Sequence, residues 1–247
     1  KSLLMKSITS DQICIADKSP EKLEQLKSQY QVEVKEIAAI GKSCNVIFLA
    51  VKPQDLADVL NELKQTIQPE TVVISIAAGK TIKFIEDQLQ TNNPVIRAMP
   101  NTPAQIGKGI SAIAVGAKAS SDDLKIAMEL FSTTGEVVVV SEDKIDAVTA
   151  LSGSGPAYLF YFIEAMVKAG VELGLTDEIA TKLAIETISG SAAMLKESNL
   201  DAATLRKNVT SPKGTTAAAL EVFSASNLEN IIFKAMSAAK SRAQELA

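Results

Sequence analysis

The chain has 247 residues, of which 47% are hydrophobic, and a net charge of −4 with acidic and basic residues interspersed. This composition is typical of a globular protein with a large core, and the lack of a basic patch argues against nucleic acid as a partner. The chain contains no histidine, so Ser-His-Asp triads, Cys-His nucleophiles and histidine metal sites are excluded. We therefore predict no metal site.

The two cysteines, Cys14 and Cys44, lie in or beside apolar runs. This placement predicts buried free thiols in a reducing compartment. No signal peptide opens the chain, and no uninterrupted apolar run is long enough to span a bilayer. We expect a soluble, cytoplasmic protein without a membrane partner.

Short apolar runs rich in β-branched residues alternate with polar helical segments in the first part of the chain. Runs without polar alternation indicate strands buried on both faces, as in a parallel sheet covered by helices. The predicted strands are residues 13–16, 46–51, 72–76, 95–99, 110–115 and 137–140, and the predicted helices are residues 20–30, 54–67, 81–89 and 122–132. This order predicts a doubly wound α/β domain over residues 1–142.

Beyond about residue 143 the strands stop and the pattern becomes helical. Residues 156–173 are apolar nearly all round, which predicts a helix that is buried nearly all round. Residues 177–197 form a second predicted helix, whose small residues suit close approach of another helix. Such helices would leave too much apolar surface on a monomer, so we expect subunits to associate through residues 143–247.

The start of the chain lacks a feature that nucleotide-binding α/β domains usually have. Such domains open with a strand and a G-x-G-x-x-G turn, but no glycine precedes Gly41 here. Residues 1–5 look like the tail of a first helix. Either the fold lacks this site, or the sequence begins after the first strand and its glycine-rich turn.

Three predicted strands end in segments of small residues, proline, lysine or asparagine. In open α/β sheets, ligands bind outside the carboxyl ends of the strands, so these segments predict a nucleotide site at one edge. The segments are Ala50-Val51-Lys52-Pro53, Ser75-Ile76-Ala77-Ala78-Gly79 and Met99-Pro100-Asn101. For Lys52 two interpretations stay open, a contact with phosphate or ribose and a solvated lysine before a helix.

Near the C-terminus a turn rich in hydroxyl groups, Ser211-Pro212-Lys213-Gly214-Thr215-Thr216, runs into a helix. The first amides of a helix lack intrahelical partners and carry the positive end of the macrodipole. A carboxylate or phosphate placed there gains several donors at once, and the hydroxyl groups add more. The segment predicts an anion site, with an ordinary capped helix start as the alternative.

Together with Ser152-Gly153-Ser154-Gly155-Pro156, these segments resemble the pyrroline-5-carboxylate reductase family in order and spacing, over the whole chain. The resemblance implies a Rossmann-like NAD(P)-binding domain with a mostly parallel sheet, followed by an all-helical dimerisation domain. It implies that the subunits form homodimers, sometimes assembled into larger rings. It also implies reduction of 1-pyrroline-5-carboxylate to L-proline by hydride transfer, the last step of proline biosynthesis. Lys213 departs from the family, because many members have glycine there.

The resemblance also implies roles for particular residues. The substrate carboxylate is expected at Ser211 and at the amides of Gly214 and Thr215, and Thr216 is the expected catalytic residue, which holds the imine nitrogen. The resemblance places Ala50, Val51, Lys52, Pro53, Ile76, Ala77 and Ala78 at the cofactor. Met99, Pro100 and Asn101 are expected there from their position at the carboxyl end of a predicted strand.

Asp17, Lys18 and Ser19 end the first predicted strand, where a dinucleotide fold meets the adenosine ribose. Asp17 favours the 2′-hydroxyl of NADH, whereas Lys18 and Ser19 favour the 2′-phosphate of NADPH. Alternatively, Asp17 and Ser19 only cap the next helix. The family resemblance leans towards NADPH, so we expect a modest NADPH preference with NADH also accepted.

Two other functions stay open from the sequence. One is a β-hydroxyacid dehydrogenase-type oxidoreductase, for which Lys168 is the candidate catalytic lysine on the first long helix of the helical domain. The other is a non-catalytic dimeric nucleotide-binding module, which the missing glycine-rich turn supports.

Overall fold

The computed structural model describes residues 8–246, so the helix tail expected at residues 1–5 lies outside the described residues. The chain divides into two compact units. The first contains the described residues up to Ser154 and those from Ala239 onward, and the second is Gly155–Ala238. The structure thus groups residues 143–154 with the first unit, and the division at 142/143 stays a prediction.

The first unit is built on seven strands within the described residues: β1 (Cys14–Ile15), β2 (Glu33–Val34), β3 (Val46–Leu49), β4 (Val72–Ser75), β5 (Val95–Met99), β6 (Gly109–Val115) and β7 (Gly135–Val139). Strands β3 to β7 form one sheet in that order, and β1 and β2 form a separate parallel pair. Only β5 and β6 pair antiparallel. The predicted mostly parallel α/β architecture is confirmed.

The helices of the first unit are α1 (Pro20–Tyr30), α2 (Ile37–Ser43), α3 (Leu56–Leu63), α4 (Ile82–Leu89), α5 (Ser121–Ser132) and α6 (Ile145–Val148). Helix α1 begins as the sequence predicts, with a Ser19 cap and proline at the first position. Neither β2 nor α2 was predicted from the sequence, because a strand of two residues shows no periodicity and Gly41 weakens the helical pattern of α2. That glycine is needed, since a Cβ there would collide with the Thr66 side chain.

Two buried clusters cover the two faces of the five-stranded sheet. Val73 and Ile74 are neighbours in β4 but enter opposite clusters, because successive side chains of a strand point to opposite faces. Leu60 of α3 packs with Val73, and Phe131 of α5 packs with Ile74. Both faces of β4 are therefore buried, which explains why its sequence is apolar without alternation.

The second unit contains helices only among its described residues: α7 (Gly155–Glu172), α8 (Asp177–Glu197), α9 (Ala202–Asn208), α10 (Thr215–Ala225) and most of α11 (Leu228–Glu245). No residue of α7 is buried within the single chain. One chain therefore leaves α7 uncovered, as expected from the excess of apolar surface that predicts association between subunits. Burial of this helix by a second subunit stays a prediction. A π-helical turn, Thr149–Gly153, leads into α7.

The two cysteines are free but half-buried, and not fully buried as the sequence predicts. Their sulfur atoms lie 3.1 Å apart, and burial together with the neighbouring thiol raises the pKa of Cys14 to about 11. Within residues 8–246, no three Cys, Asp or Glu side chains are grouped as they would be to hold a metal ion. None of the described helices has both the length and the apolar character needed to cross a bilayer.

Candidate cofactor edge and anion turn

The ends of β3, β4 and β5 meet at one edge of the sheet, as the sequence predicts. Leu49 pairs with Ser75, and Ser75 pairs with Arg97, in parallel register. The segments that follow these strands therefore leave the sheet side by side. This edge, formed by residues 50–53, 76–79 and 99–101, is called the cofactor edge below.

The turn after β4 is held in a defined shape. The Ala77 amide donates to the Ser75 hydroxyl at 3.2 Å, and Ala77 is buried, whereas Ile76 and Ala78 are half-buried. Gly79 has φ +74°, and a Cβ there would lie 2.6 Å from the carbonyl oxygen of Leu246. The residue just after α11 thus covers the end of this turn, a contact that the local sequence did not reveal. The turn presents Ile76 and Ala78 as its accessible surface.

The segments after β3 and β5 differ in exposure. Ala50 and Lys52 are exposed, and Val51 and Pro53 are half-buried. Met99 is buried, and a Cβ on Gly153 would lie 3.6 Å from its sulfur atom, while Pro100 and Asn101 are half-buried. The Asn101 side-chain oxygen accepts the Ile110 amide at 3.0 Å. Met99 and Asn101 therefore shape the edge by packing and hydrogen bonding, besides any contact with a ligand.

A charge cluster around the buried Arg97, which was not predicted from the sequence, lies beside the edge. The Arg97 guanidinium is 4% exposed and lies 3.4 Å from Glu142 Oε1 and 3.6 Å from Asp146 Oδ1. Glu142 Oε1 also accepts the Ile82 amide at 2.7 Å. These contacts join β5, the start of α4 and the segment before α6. They fix the backbone just behind the cofactor edge.

The loop after β1 holds Asp17, Lys18 and Ser19 in a polar network. The Ser19 hydroxyl accepts the Lys22 amide at 3.4 Å, and Asp17 Oδ1 accepts the Ser19 amide at 2.8 Å. Capping of α1 by Ser19, one of the two interpretations left open, is therefore present. Lys18 Nζ lies 2.8 Å from Asp55 Oδ2, and this hydrogen bond raises the pKa of Lys18. The sequence analysis did not anticipate Asp55 as a partner.

The hydroxyl-rich segment forms a tight turn at the start of α10. The Gly214 amide donates to the Ser211 carbonyl oxygen at 3.0 Å, and Lys213 has φ +60°. Proline at the second position and a positive φ at the third match a type II turn. A Cβ on Gly214 would collide with the Ser211 hydroxyl, so that oxygen lies directly against the glycine.

No side chain caps α10, so the structure differs from an ordinary capped helix start. The Gly214 amide is already used inside the turn, which leaves the amides of Thr215, Thr216 and Ala217 as the donors at the helix start. The hydroxyls of Ser211 and Thr215 are exposed, and Thr216 is half-buried. Unpaired amides beside hydroxyl groups can bind a carboxylate.

Lys168, the candidate of the dehydrogenase-type alternative, lies elsewhere in the helical unit. It lines an open groove of about 630 Å³ between α7 and α8, together with Glu164, Glu172 and Asp177. An ammonium group among three carboxylates is typical of a charged helix surface.

Comparisons with known proteins match both parts of the chain. A family model described as pyrroline-5-carboxylate reductase dimerisation matches residues 142–246, and one described as NADP oxidoreductase coenzyme F420-dependent matches residues 1–79. The chain is 37% identical over 248 residues to a pyrroline-5-carboxylate reductase of Corynebacterium melassecola, covering 99% of this chain and 92% of that protein. It is 38% identical over 247 residues to one of Pseudomonas aeruginosa, covering 99% and 90% respectively.

Solved structures agree with these relatives. A pyrroline-5-carboxylate reductase from Coxiella burnetii has a TM-score of 0.93 at 36% identity, covering 100% of this chain and 92% of that one. The pyrroline carboxylate reductase of Plasmodium falciparum, solved with NADP bound, has a TM-score of 0.89 at 28% identity, covering 99% and 91% respectively.

Proposed function

Because the chain belongs to the pyrroline-5-carboxylate reductase family, we propose that it reduces 1-pyrroline-5-carboxylate to L-proline with NADPH, the last step of proline biosynthesis. NADH serves as a second, less favoured cofactor. The observation that carries the proposal is the turn of residues 211–214, which opens an uncapped helix beside threonine hydroxyl groups. The relatives match nearly the whole chain, which favours this activity over a β-hydroxyacid dehydrogenase or a non-catalytic module.

The turn suits a small cyclic imine that carries a carboxylate. The Ser211 hydroxyl and the Thr215 amide hold the carboxylate, and Gly214 keeps the backbone free of a side chain at the point of closest approach. The positive end of α10 adds to this attraction. The Thr216 hydroxyl donates a hydrogen bond to the imine nitrogen. Since Gly214 uses its own amide within the turn, its part is to provide space and backbone shape.

The cofactor edge suits a nicotinamide dinucleotide in its exposure and in its charge. Small or half-buried residues, Ala50, Ile76 and Ala78, line an edge against which a flat ring system can pack. Lys18 and Ser19 offer a cation and a hydroxyl at the proposed ribose position, and Lys52 is exposed at the end of β3. We propose that this edge, including Val51, Pro53, Ala77, Met99, Pro100 and Asn101, holds NADPH, with Asp17 beside the ribose.

When bound, the cofactor would supply the hydride that the imine carbon accepts, and the ring nitrogen would carry the proton that completes the amine. The chain's own contribution is to hold the substrate carboxylate and the imine nitrogen in one orientation. Reactions of this type are accelerated mainly by positioning, with reacting atoms held about 3–3.5 Å apart. A chain without histidine suits such chemistry, since the main demand is for hydrogen-bond donors that fix geometry.

Copies of the chain associate through the region that matches the dimerisation model, and the exposed apolar surface of α7 supports this. We further propose that the unit is a homodimer and that dimers join into a larger ring. The free thiols of Cys14 and Cys44 suit the reducing cytoplasm, where we place the protein, without a nucleic-acid or membrane partner.

The experiment that tests the proposal is the Thr216→Ala substitution, with NADPH oxidation measured against 1-pyrroline-5-carboxylate. We expect kcat/KM to fall, because the variant should lose about 2–4 kcal/mol of transition-state stabilisation. Such a loss is typical when one hydrogen-bond donor to a reacting centre is removed. The dissociation constant for NADPH, measured by fluorescence titration, should change little. Thr187→Ala, on α8 and outside the turn, is the matched control. Wild-type turnover in Thr216→Ala would remove this hydroxyl from the mechanism, and a wild-type protein without turnover would refute the function.

A further inference from the structure

The ion pair between Lys18 and Asp55 joins a residue of the proposed cofactor site to one with no assigned role. Lys18 Nζ and Asp55 Oδ2 are 2.8 Å apart, and their side chains are 77% and 33% exposed. Lys18 belongs to the loop after β1, whereas Asp55 lies just before α3. The pair thus links the loop proposed to meet the adenosine ribose with the segment that follows β3.

Asp55 occupies the cap position of α3 but does not act as a cap. An aspartate there normally accepts a backbone amide from the first turn, as Asp201 does from Thr204 at the start of α9. The Asp55 side chain makes no such bond. Its backbone amide instead donates to the Lys52 carbonyl oxygen at 2.9 Å, closing the turn that carries Lys52. The carboxylate is therefore directed at Lys18 in place of its own helix.

The other charged groups near Lys18 are engaged within the loop itself. Asp17 accepts the Ser19 amide, and its second oxygen lies 3.9 Å from Lys22 Nζ. Asp55 is thus the carboxylate in direct contact with Lys18, and it is the largest cause of the raised pKa of that lysine. A dianionic 2′-phosphate would have to share Lys18 with this carboxylate or displace it.

We propose that Asp55 sets the cofactor selectivity of the enzyme, by competing with the 2′-phosphate of NADPH for Lys18. The inference rests on the proposed function, because it assumes that the loop at Lys18 receives the adenosine ribose. A 2′-phosphate meets like charge from Asp55, whereas the 2′-hydroxyl of NADH leaves the ion pair intact. The Asp55 carboxylate therefore lowers the affinity for NADPH relative to NADH, which Lys18 and Ser19 would otherwise raise further. It keeps both cofactors usable.

The test compares Asp55→Asn with Asp58→Asn, which removes the same charge from an exposed position on α3, the helix that Asp55 precedes. Calorimetry would measure binding of adenosine 2′,5′-bisphosphate and of 5′-AMP, two probes of the adenosine end that require no turnover. We expect Asp55→Asn to tighten binding of the bisphosphate about three- to tenfold, with less effect at high salt, and to leave 5′-AMP within about twofold. Asp58→Asn should move neither probe by more than about twofold.

The same variants, assayed for turnover, should show the NADPH-to-NADH ratio of kcat/KM rising with Asp55→Asn by the factor measured in binding. Lys18→Ala should reduce the gain, so that the Lys18→Ala variant and the double variant differ in bisphosphate affinity by less than the wild type and Asp55→Asn do. An unchanged ratio in Asp55→Asn, or equal tightening of both probes, would overturn the role of Asp55 while wild-type turnover still upheld the reductase. A wild-type protein that binds neither probe and shows no turnover would refute both proposals.

Discussion

The two units of this chain bury their apolar side chains to different extents. In the first unit, Leu56, Leu60, Val73 and Ile74 are completely buried by neighbours from the same chain. In the second unit, the only buried residues are Ala180 and Ala184, both on α8. Large side chains of α7 remain exposed, among them Phe160 at 58%.

The two units differ in how fully a single chain covers their apolar side chains. A sheet with helices on both faces encloses its own core, so the large side chains of this core are covered within one chain. The helices of the second unit carry apolar residues on more faces than one chain can cover. We therefore expect the stability of the second unit to depend on association, as in obligate dimers, where folding cannot be separated from protomer concentration.

The largest effect is expected from Phe160→Asp, which places a charge on the exposed apolar surface of α7. Each interface gains two buried charges in a symmetric dimer, so we expect the dimer dissociation constant to rise at least roughly a thousandfold. The helical unit should lose structure as it dissociates. Light scattering and circular dichroism at micromolar concentration would report both changes. Glu164→Gln on the same helix is the control, and a variant that stays dimeric would show that α7 does not lie in the interface.

A truncation in the core of the first unit should lower the stability of the chain without weakening its association. Leu60→Ala removes a fully buried side chain, which typically lowers the free energy of unfolding by 2–5 kcal/mol. Association should stay at the wild-type level, since this core is enclosed within one chain. Urea unfolding followed beside light scattering would measure both properties. Glu62→Ala, exposed on α3, provides the control, and a loss of dimers in Leu60→Ala would contradict the independence of the two units.

A smaller change should raise stability in the second unit. Lys213 adopts φ +60°, a left-handed conformation that glycine enters without steric cost. We expect Lys213→Gly to increase the free energy of unfolding by about 1 kcal/mol.

The comparison variant for this prediction is Lys207→Gly, which lies within α9 and should lose stability by about 1 kcal/mol or less. Opposite signs for the two lysines, measured by thermal unfolding at one protein concentration, would establish strain at the turn. Equal losses would show that the Lys213 side chain contributes more than its backbone conformation costs.

Much of the fold was predictable, because its signals are local. Runs of β-branched residues located β3, β4 and β5, and the Ser19-Pro20 pair located the start of α1. The cofactor edge followed from them, since parallel strands end at the same side of a sheet. The two-residue strands had no period to detect, and nothing local indicated that β6 pairs antiparallel with β5.

The sequence by itself determined the family motifs, the α/β order and the hydroxyl-rich turn before α10, because each depends on residues close together in the chain. Only the tertiary structure decided that Asp55 pairs with Lys18 and that Glu142 joins Arg97. It also decided that α7 stays uncovered within one chain. These properties depend on which groups meet in space, and a periodic pattern specifies that a face is apolar without specifying what covers it.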